Sequence, residues 1–477
     1  MATSAKKITI SPVTRIEGHA KITIYLDDAG KVENSLFHVE QFRGFEKFCE
    51  GRMFYELPQI TPRTCGICPV SHHLASTKAT DVIAGTTPTP TAHKLRDLMH
   101  MGQTIQSHGM HFFELAGPDF VLGWDADPKI RHVGGIVQAN PDLAVKAVKL
   151  RAFGQRIIKM LGERRVHPIF GIPGGVTKPL QAAQREEILA EIDDHIATTQ
   201  VGIAFFKQWA QDNADMANSF AVFPSAYMGL VQEDGALELY DGNLKMVDRD
   251  GSFLEEFDPA NYLDYIGEHV NNYTYLKAPF YKKRGYPEGI YRVGPLGRLN
   301  VATHISTPIA QGEMKIWKSI NGGQPVEGTL FFHYARLIET IYALERAREL
   351  CDDPDILSND VVNPQGEITG EGVGVLEAPR GTLFHHYWTD KNGVTERVNM
   401  IVATAGNAWA MNHSVYMVAK QYVDGTRLQE GMLNRVEGAI RAHDPCLSCS
   451  THAQGQMPLH IELVSPDGEV LDTLRRS

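Results

Sequence analysis

The chain has 477 residues, of which 43% are hydrophobic and 22% charged, and its formal net charge is −11. No apolar run reaches the roughly 18 residues that a membrane-spanning helix needs, and the acidic balance speaks against a nucleic-acid partner. The length suits one large unit of two or three packed subdomains better than one small core.

Residues 1–7 lead straight into the strand-like Ile8-Thr9-Ile10, so no secretory signal is read at the start. Residues 7–40 alternate apolar and polar side chains, as in Lys21-Ile22-Thr23-Ile24-Tyr25 and again from Val32 to Val39. Asp27-Asp28-Ala29-Gly30 separates the two runs, and a hairpin is predicted. A turn-rich stretch with Pro58 and Pro62 follows. Residues 91–116 place leucine, methionine and histidine at three- and four-residue spacing and predict a helix. A second helix is marked by Leu143, Val145, Val148, Leu150, Phe153, Ile157, Ile158 and Leu161 and opened by Pro141-Asp142. Further helices are predicted over 181–215, 330–350 and 407–423. Residues 224–300 are rich in Tyr, Gly and Pro and read as irregular structure with short strands. Residues 353–376 are polar and loop-like. The stretch 461–474 alternates around Ser465-Pro466-Asp467-Gly468 and predicts another hairpin. The expected fold class is α+β with helices dominant. A central helical bundle (roughly 91–215 and 330–425) is flanked by small peripheral sheets, an N-terminal hairpin region 1–60 and the middle segment 224–300.

Six cysteines in a chain of this length are no disulfide framework. Cys49 and Cys351 stand alone and read as buried, inert thiols. The other four form two Cys-x-x-Cys pairs, in Arg63-Thr64-Cys65-Gly66-Ile67-Cys68-Pro69-Val70-Ser71-His72 and in Asp444-Pro445-Cys446-Leu447-Ser448-Cys449-Ser450-Thr451-His452. Cys-x-x-Cys lets two thiolates converge on one metal from a tight turn. A four-thiolate zinc site usually joins pairs about 15 to 20 residues apart in small domains that lack a core. Here nearly the whole chain lies between them. A redox dithiol needs only one pair. A soft four-sulfur site with a histidine after each pair suits nickel or iron as well as zinc, and the residues alone leave these open.

The two motifs resemble the signatures of nickel–iron hydrogenase large subunits, Arg-x-Cys-Gly-x-Cys-x-x-x-His and Asp-Pro-Cys-x-x-Cys-x-x-His. The likeness continues through Pro12-Val13-Thr14-Arg15-Ile16-Glu17-Gly18-His19, Arg43-Gly44-Phe45-Glu46 and Glu377-Ala378-Pro379-Arg380-Gly381, and so spans the chain. It implies that fold and a nickel–iron centre with carbon monoxide and cyanide on the iron. Cys65 and Cys446 would be terminal on nickel, and Cys68 and Cys449 would bridge nickel and iron. The implied reaction is reversible heterolytic cleavage of hydrogen, with Cys446 as first base and Glu17 as proton relay. A carboxylate suits that relay when burial raises its pKa. Arg380 would sit over the diatomic ligands with Pro379 packed beside it, and Thr404 would donate to the second cyanide. Asp444 would pair with Arg380 or fix Cys446, and His72 would donate to a bridging sulfur. Glu46 and His452, with the backbone carbonyl of Met400, would hold a magnesium ion.

Two segments depart from the family pattern. Ser107 stands where many members carry an aspartate on the helix that crosses the site, and His93, His100, His108 and His111 on that helix read as satisfied core or interface residues. Val402-Ala403-Thr404-Ala405-Gly406-Asn407 lacks the proline and tryptophan that relatives often carry. Cys68-Pro69-Val70-Ser71-His72-His73-Leu74-Ala75 and Gly117-Pro118-Asp119-Phe120-Val121-Leu122-Gly123 resemble the cytoplasmic, bidirectional, NAD-reducing subgroup. The resemblance also implies that residues 453–477 are removed by a maturation endopeptidase after nickel-insertion proteins act, leaving one unit over 1–452. The other reading of this tail is a permanent hairpin. Cys49 and Cys351 cannot hold an iron–sulfur cluster, and no convincing Gly-x-Gly-x-x-Gly nucleotide site is found. NAD, flavin and iron–sulfur clusters are therefore expected on partners: diaphorase subunits and a hydrogenase small subunit. Competing readings are a hydrogenase reducing NADP or a deazaflavin, a non-catalytic relative such as the quinone-site subunit of respiratory complex I, and a structural zinc protein.

Overall fold

The N-terminal hairpin carries a third strand. In the computed structural model, which describes residues 6–451, 459–464 and 470–476, β1 (Lys6–Ile10), β2 (Ala20–Leu26) and β3 (Val32–Val39) form an antiparallel sheet in that order. Ile22 and Ile24 of the central strand are fully buried, as the alternation requires.

The helical bundle expected from the sequence pattern is present. One of its helices, α1 (Pro69–Ile83), lies outside the predicted elements. It starts directly after the first cysteine pair, with Pro69 in its first turn. It is buried on nearly every side, so it has no polar face to give a period. Next, α2 (Pro90–Met110) is capped by the Thr89 hydroxyl, which accepts from the Ala92 N–H, and runs on into a π-helical turn, His111–Ala116, and α3 (Gly117–Val121). The helix α4 (Pro141–Gly162) is capped by Asn140, and α5 (Ala182–Asp212) by reciprocal bonds between Gln181 and Gln184.

The middle segment is more regular than its composition suggests. Strands β4 (Ala226–Val231), β5 (Asn243–Val247) and β6 (Phe253–Phe257), joined by Tyr291–Arg292, make a four-stranded sheet backed by α6 (Gly294–Val301). After α7 (Pro308–Ser319) comes α8 (Phe331–Asp352). It packs on both α2 and α5, while α4 lies along α2.

Residues 353–376 are not loop throughout. From Glu371 the chain enters a three-stranded antiparallel sheet, β7 (Glu371–Ala378), β8 (Gly381–Thr389) and β9 (Thr395–Ile401). Gly372 and Gly374 let α1 lie directly on β7. Then α9 (Ala408–Tyr422) and α10 (Glu430–His443) lead to the second cysteine pair. The predicted last hairpin is present as β10 (Leu459–Val464) and β11 (Val470–Arg476), paired antiparallel. Among the described residues no helix is long and apolar enough to cross a membrane.

Candidate metal centre

Two helix ends deliver the four sulfurs. A turn of 3-10 helix, Thr61–Thr64, breaks into extended backbone at Cys65, and Cys68 caps α1. The N–H groups of Ile67 and Cys68 donate to Cys65 Sγ at 3.2 and 3.4 Å. On the other side, α10 ends in the left-handed Asp444 (φ 53°), and Pro445 cannot continue the helix. The turn Leu447–Ser450 then folds Cys449 back beside Cys446, whose N–H donates to Thr404 Oγ1 at 2.9 Å. The sulfurs lie 3.1 Å (Cys65–Cys446), 3.5 Å (Cys68–Cys449), 4.0 Å (Cys68–Cys446) and 2.7 Å (Cys446–Cys449) apart. All four are buried and within 4.8 Å of one another, so together they could hold a metal. Hydrogen bonds from Cys446, Cys449 and Cys65 hold Cys68 well below the ordinary thiol value, while burial holds Cys446 and Cys449 above it. Gathering several thiolates in so dry a place needs a cation between them, and a soft metal suits that donor set.

The other predicted site residues converge on the same place. Glu17 forms an isolated parallel bridge with Cys446; its carbonyl accepts from the Leu447 N–H and its Oε2 from the Ser448 N–H, both at 3.1 Å. Gly18 lets the two segments touch. It has φ +87°, and a Cβ there would stand 2.7 Å from that of Leu447. Arg380, at the turn from β7 to β8, donates from Nη2 to Asp444 Oδ1 at 2.9 Å and from Nη1 to Ser107 Oγ at 3.3 Å. Burial pushes Asp444 up to about 6, against the pull of Arg380 and Arg336. Arg380, Pro379, Ala378, Leu383, Val402, Ala403 and Thr404 line a small cavity beside Cys68, Cys446 and Cys449. The Nε–H of Arg380 has no partner among the described residues. A guanidinium donor with nothing to bond beside a cavity fits a small acceptor ligand held on the metal.

Behind Cys68, His72 Nδ1 meets His385 Nε2 at 3.0 Å. His385 in turn bonds the Tyr387 hydroxyl, which donates to Ser76 Oγ at 2.9 Å. Away from this row, Glu46 Oε1 accepts from the Met400 N–H at 2.7 Å, so the contact seen runs through the amide of Met400. Glu46 Oε2 is buried and unpartnered among the described residues, and burial pushes the carboxyl up to about 7 against Lys277. His452 lies outside the described residues. Arg43 ties both halves by donating twice: its backbone N–H to the Thr451 carbonyl and its guanidinium to the Thr64 carbonyl.

The helix histidines do what a core requires. His100 and His111 bond the carbonyls of Glu377 and Arg441, His108 bonds Glu339, and the half-exposed His93 bonds Asp241. Cys49 and Cys351 are buried free thiols pushed up to about 12 by burial. The residue pattern carries no sign of His385 and Tyr387, or of the ion pairs that link Asp119 to Arg15 and Arg441. Each of these lies on an element whose neighbours are set only by the tertiary fold.

Four thiolates at the junction of two helix ends, inside a large α+β chain, define a buried soft-metal centre with a basic cavity at its side. The sequence profile of nickel-dependent hydrogenases matches residues 43–129 and 225–452, and a HoxL-like profile matches 7–42. The chain is 42% identical to the NAD-reducing hydrogenase HoxS subunit beta of Cupriavidus necator, over 99% of this chain and 100% of that one. It is 47% identical to a subunit of the vhu F420-non-reducing hydrogenase of Methanococcus voltae, over 87% of this chain and 98% of that one. The crystal structure of an NAD+-reducing [NiFe]-hydrogenase in the H2-reduced state superposes with a TM-score of 0.92 at 39% identity, covering 94% of this chain and 100% of that one. A Ni-Fe-Se hydrogenase from D. vulgaris Hildenborough shares the fold at 23% identity and a TM-score of 0.76. The chain belongs to the nickel-dependent hydrogenase family, as its nickel–iron catalytic subunit.

Proposed function

We propose that this subunit cleaves hydrogen reversibly and passes the electrons to NAD+, through the iron–sulfur clusters of a small partner subunit, then through a flavin-bearing diaphorase. The observation that carries the reading is the buried four-sulfur cluster in a chain that matches an NAD-reducing hydrogenase subunit from end to end. Cys65 and Cys446 would hold the nickel, and Cys68 and Cys449 would hold it together with the iron. When bound, the nickel–iron centre, with carbon monoxide and cyanide on its iron, supplies the redox chemistry that splits the hydrogen molecule.

The chain's own groups manage charge and protons. The Cys446 sulfur receives the proton, and Glu17, held on the turn between Cys446 and Cys449, takes it onward. Arg380 keeps a positive charge and a free donor at the cavity, and Asp444 fixes its plane. Pro379 gives that cavity an apolar wall. Thr404 holds the Cys446 amide through its oxygen and keeps its hydroxyl proton for a cyanide. His72, aligned by His385, acts on the sulfur of Cys68. The unpartnered, buried oxygen of Glu46 fits a hard cation, with Met400 and His452 as the other ligands and magnesium as the ion. Residues 1–452 form the working unit, and residues 453–477 are cut away in the cytoplasm after nickel is inserted.

The test is the purified complex. Nickel and iron near one each per chain, infrared bands of bound cyanide and carbon monoxide, a chain ending at His452 by mass spectrometry, and hydrogen-driven NAD+ reduction are expected. Zinc alone refutes the centre, and full-length chain in fully active enzyme refutes the processing. The match to a subunit of an F420-non-reducing hydrogenase favours one second reading, the same chemistry with a different electron acceptor. Dye reduction without NAD+ reduction by the intact complex would decide for it.

A further inference from the structure

Asp119 ties together the two segments that carry the proton-handling groups. It stands on α3, far in sequence from both, and its side chain is 2% exposed. One carboxylate oxygen is paired with Arg15, the other with Arg441. Asn434 completes the cluster, donating to Asp119 Oδ1 and accepting from Arg15, each at 3.0 Å. Arg15 lies two residues before Glu17 and holds a left-handed backbone (φ 54°), a conformation that persists only when its surroundings enforce it. Arg441 is in the last turn of α10, just ahead of Asp444 and Cys446. A weaker tie runs parallel, from Thr14 to Glu437.

We propose that Asp119 is a positioning residue that holds the Glu17 carboxylate against the Leu447–Ser448 turn and so sets the proton handover between Cys446 and Glu17. The proposal rests on the reading of Glu17 as the proton acceptor. Its physics is that of two cations sharing one anion. Arg15 and Arg441 meet on opposite oxygens of a single carboxylate, and without that charge they repel in a place from which water is largely excluded. Arg441 is anchored inside α10 at 1% exposure, whereas Arg15 is 13% exposed and sits on a loop. The loop gives way, not the helix. Glu17 moves with Arg15, and its bonds to the Leu447 and Ser448 amides lengthen.

The experiment uses the complete hydrogenase complex carrying Asp119→Asn, with Arg15→Gln as a second variant that spares the buried carboxylate. Nickel content, amide hydrogen exchange and turnover in water and in heavy water are measured. Both variants are expected to keep nickel and to exchange faster at Leu447 and Ser448. Both should turn over about ten- to a hundred-fold more slowly, the scale of a small misplacement of a reacting group, with a larger solvent isotope effect. Wild-type exchange at those amides, or an unchanged isotope effect, in both variants overturns the proposal. So does a loss of turnover that merely tracks loss of nickel, since that would make Asp119 structural only. Full turnover in Glu17→Gln would overturn the relay reading itself, a result separate from the amide exchange.

Discussion

Replacing Gly374 with alanine should loosen the first cysteine pair from a distance. In β7 this glycine lies under α1, and a methyl group built on it would stand 1.9 Å from the Ala75 carbonyl oxygen and 2.6 Å from the Ala79 nitrogen. Ordinary contact begins at 3.4 Å, so helix and strand must part by roughly 1.5 Å. Both neighbours are backbone atoms inside a regular helix and cannot rotate away. The cost expected for overpacking is about 1–3 kcal/mol, at the upper end because α1 is buried on nearly every side. Since α1 begins at Cys68 and carries His72, the parting also stretches the His72–His385 bond and shifts one sulfur of the four. Urea unfolding should show a lower midpoint with an unchanged slope, and nickel content should fall after dialysis against a chelator. Gly372→Ala, whose Cβ would meet Ala79 O at 2.2 Å one turn further from Cys68, should lose similar stability and less nickel. Unchanged stability in both would refute the reasoning, and equal nickel loss in both would refute the link to the sulfur.

Glu17→Gln is expected to keep nickel and lose about 10²–10⁴-fold in turnover, the usual contribution of a positioned proton acceptor; an assay of hydrogen-driven dye reduction checks it. Arg380→Met leaves Asp444 buried without its ion pair and should destabilise the fold by about 3–5 kcal/mol in urea, with the double variant Arg380→Met, Asp444→Asn milder than the sum. Acid should unfold the chain early. His73, His100 and His108 are held neutral by burial, their pKa values lowered from 6.5 to about 4. Between those values the unfolded chain binds protons that the folded one refuses, so stability falls as pH drops from 6.5 towards 4, by about 3 kcal/mol for each histidine. A urea midpoint measured against pH tests this, and His100→Gln should flatten the curve. Cys446→Ser should leave the chain folded and free of nickel by metal analysis.

Several of the elements legible in the sequence have two unlike faces. Strands β2 and β3 alternate because one side is wet, and α4 shows its period for the same reason. By contrast α1 and β8 are buried almost throughout, so neither a helical nor a two-residue period survives. The site is legible where family motifs mark it: the cysteines, Glu17 and Arg380 do converge. The pairings of His385 and Asp119 are not, because a histidine in a buried strand and an aspartate in a short helix acquire partners only when distant segments meet. Ser107 shows the limit from the other side. Its lost carboxylate is visible in the sequence, whereas its acceptance of the Arg380 N–H is visible only in the fold.

The distance along the chain between the two cysteine pairs bears on how the protein is made. Cys65 and Cys446 are 381 positions apart yet meet at 3.1 Å. During synthesis the first pair leaves the ribosome while nearly all of the chain is still to come, and for that time it offers half a site. Closing a loop of that length costs about 5 kcal/mol of chain entropy beyond a constant. The docking of α10 and the bridge at Glu17 must offset that cost, and a metal bound by both pairs adds its binding energy to the same closure. Only a chain made through Cys449 can hold the metal with all four sulfurs, so the centre doubles as a check that translation has passed the second pair.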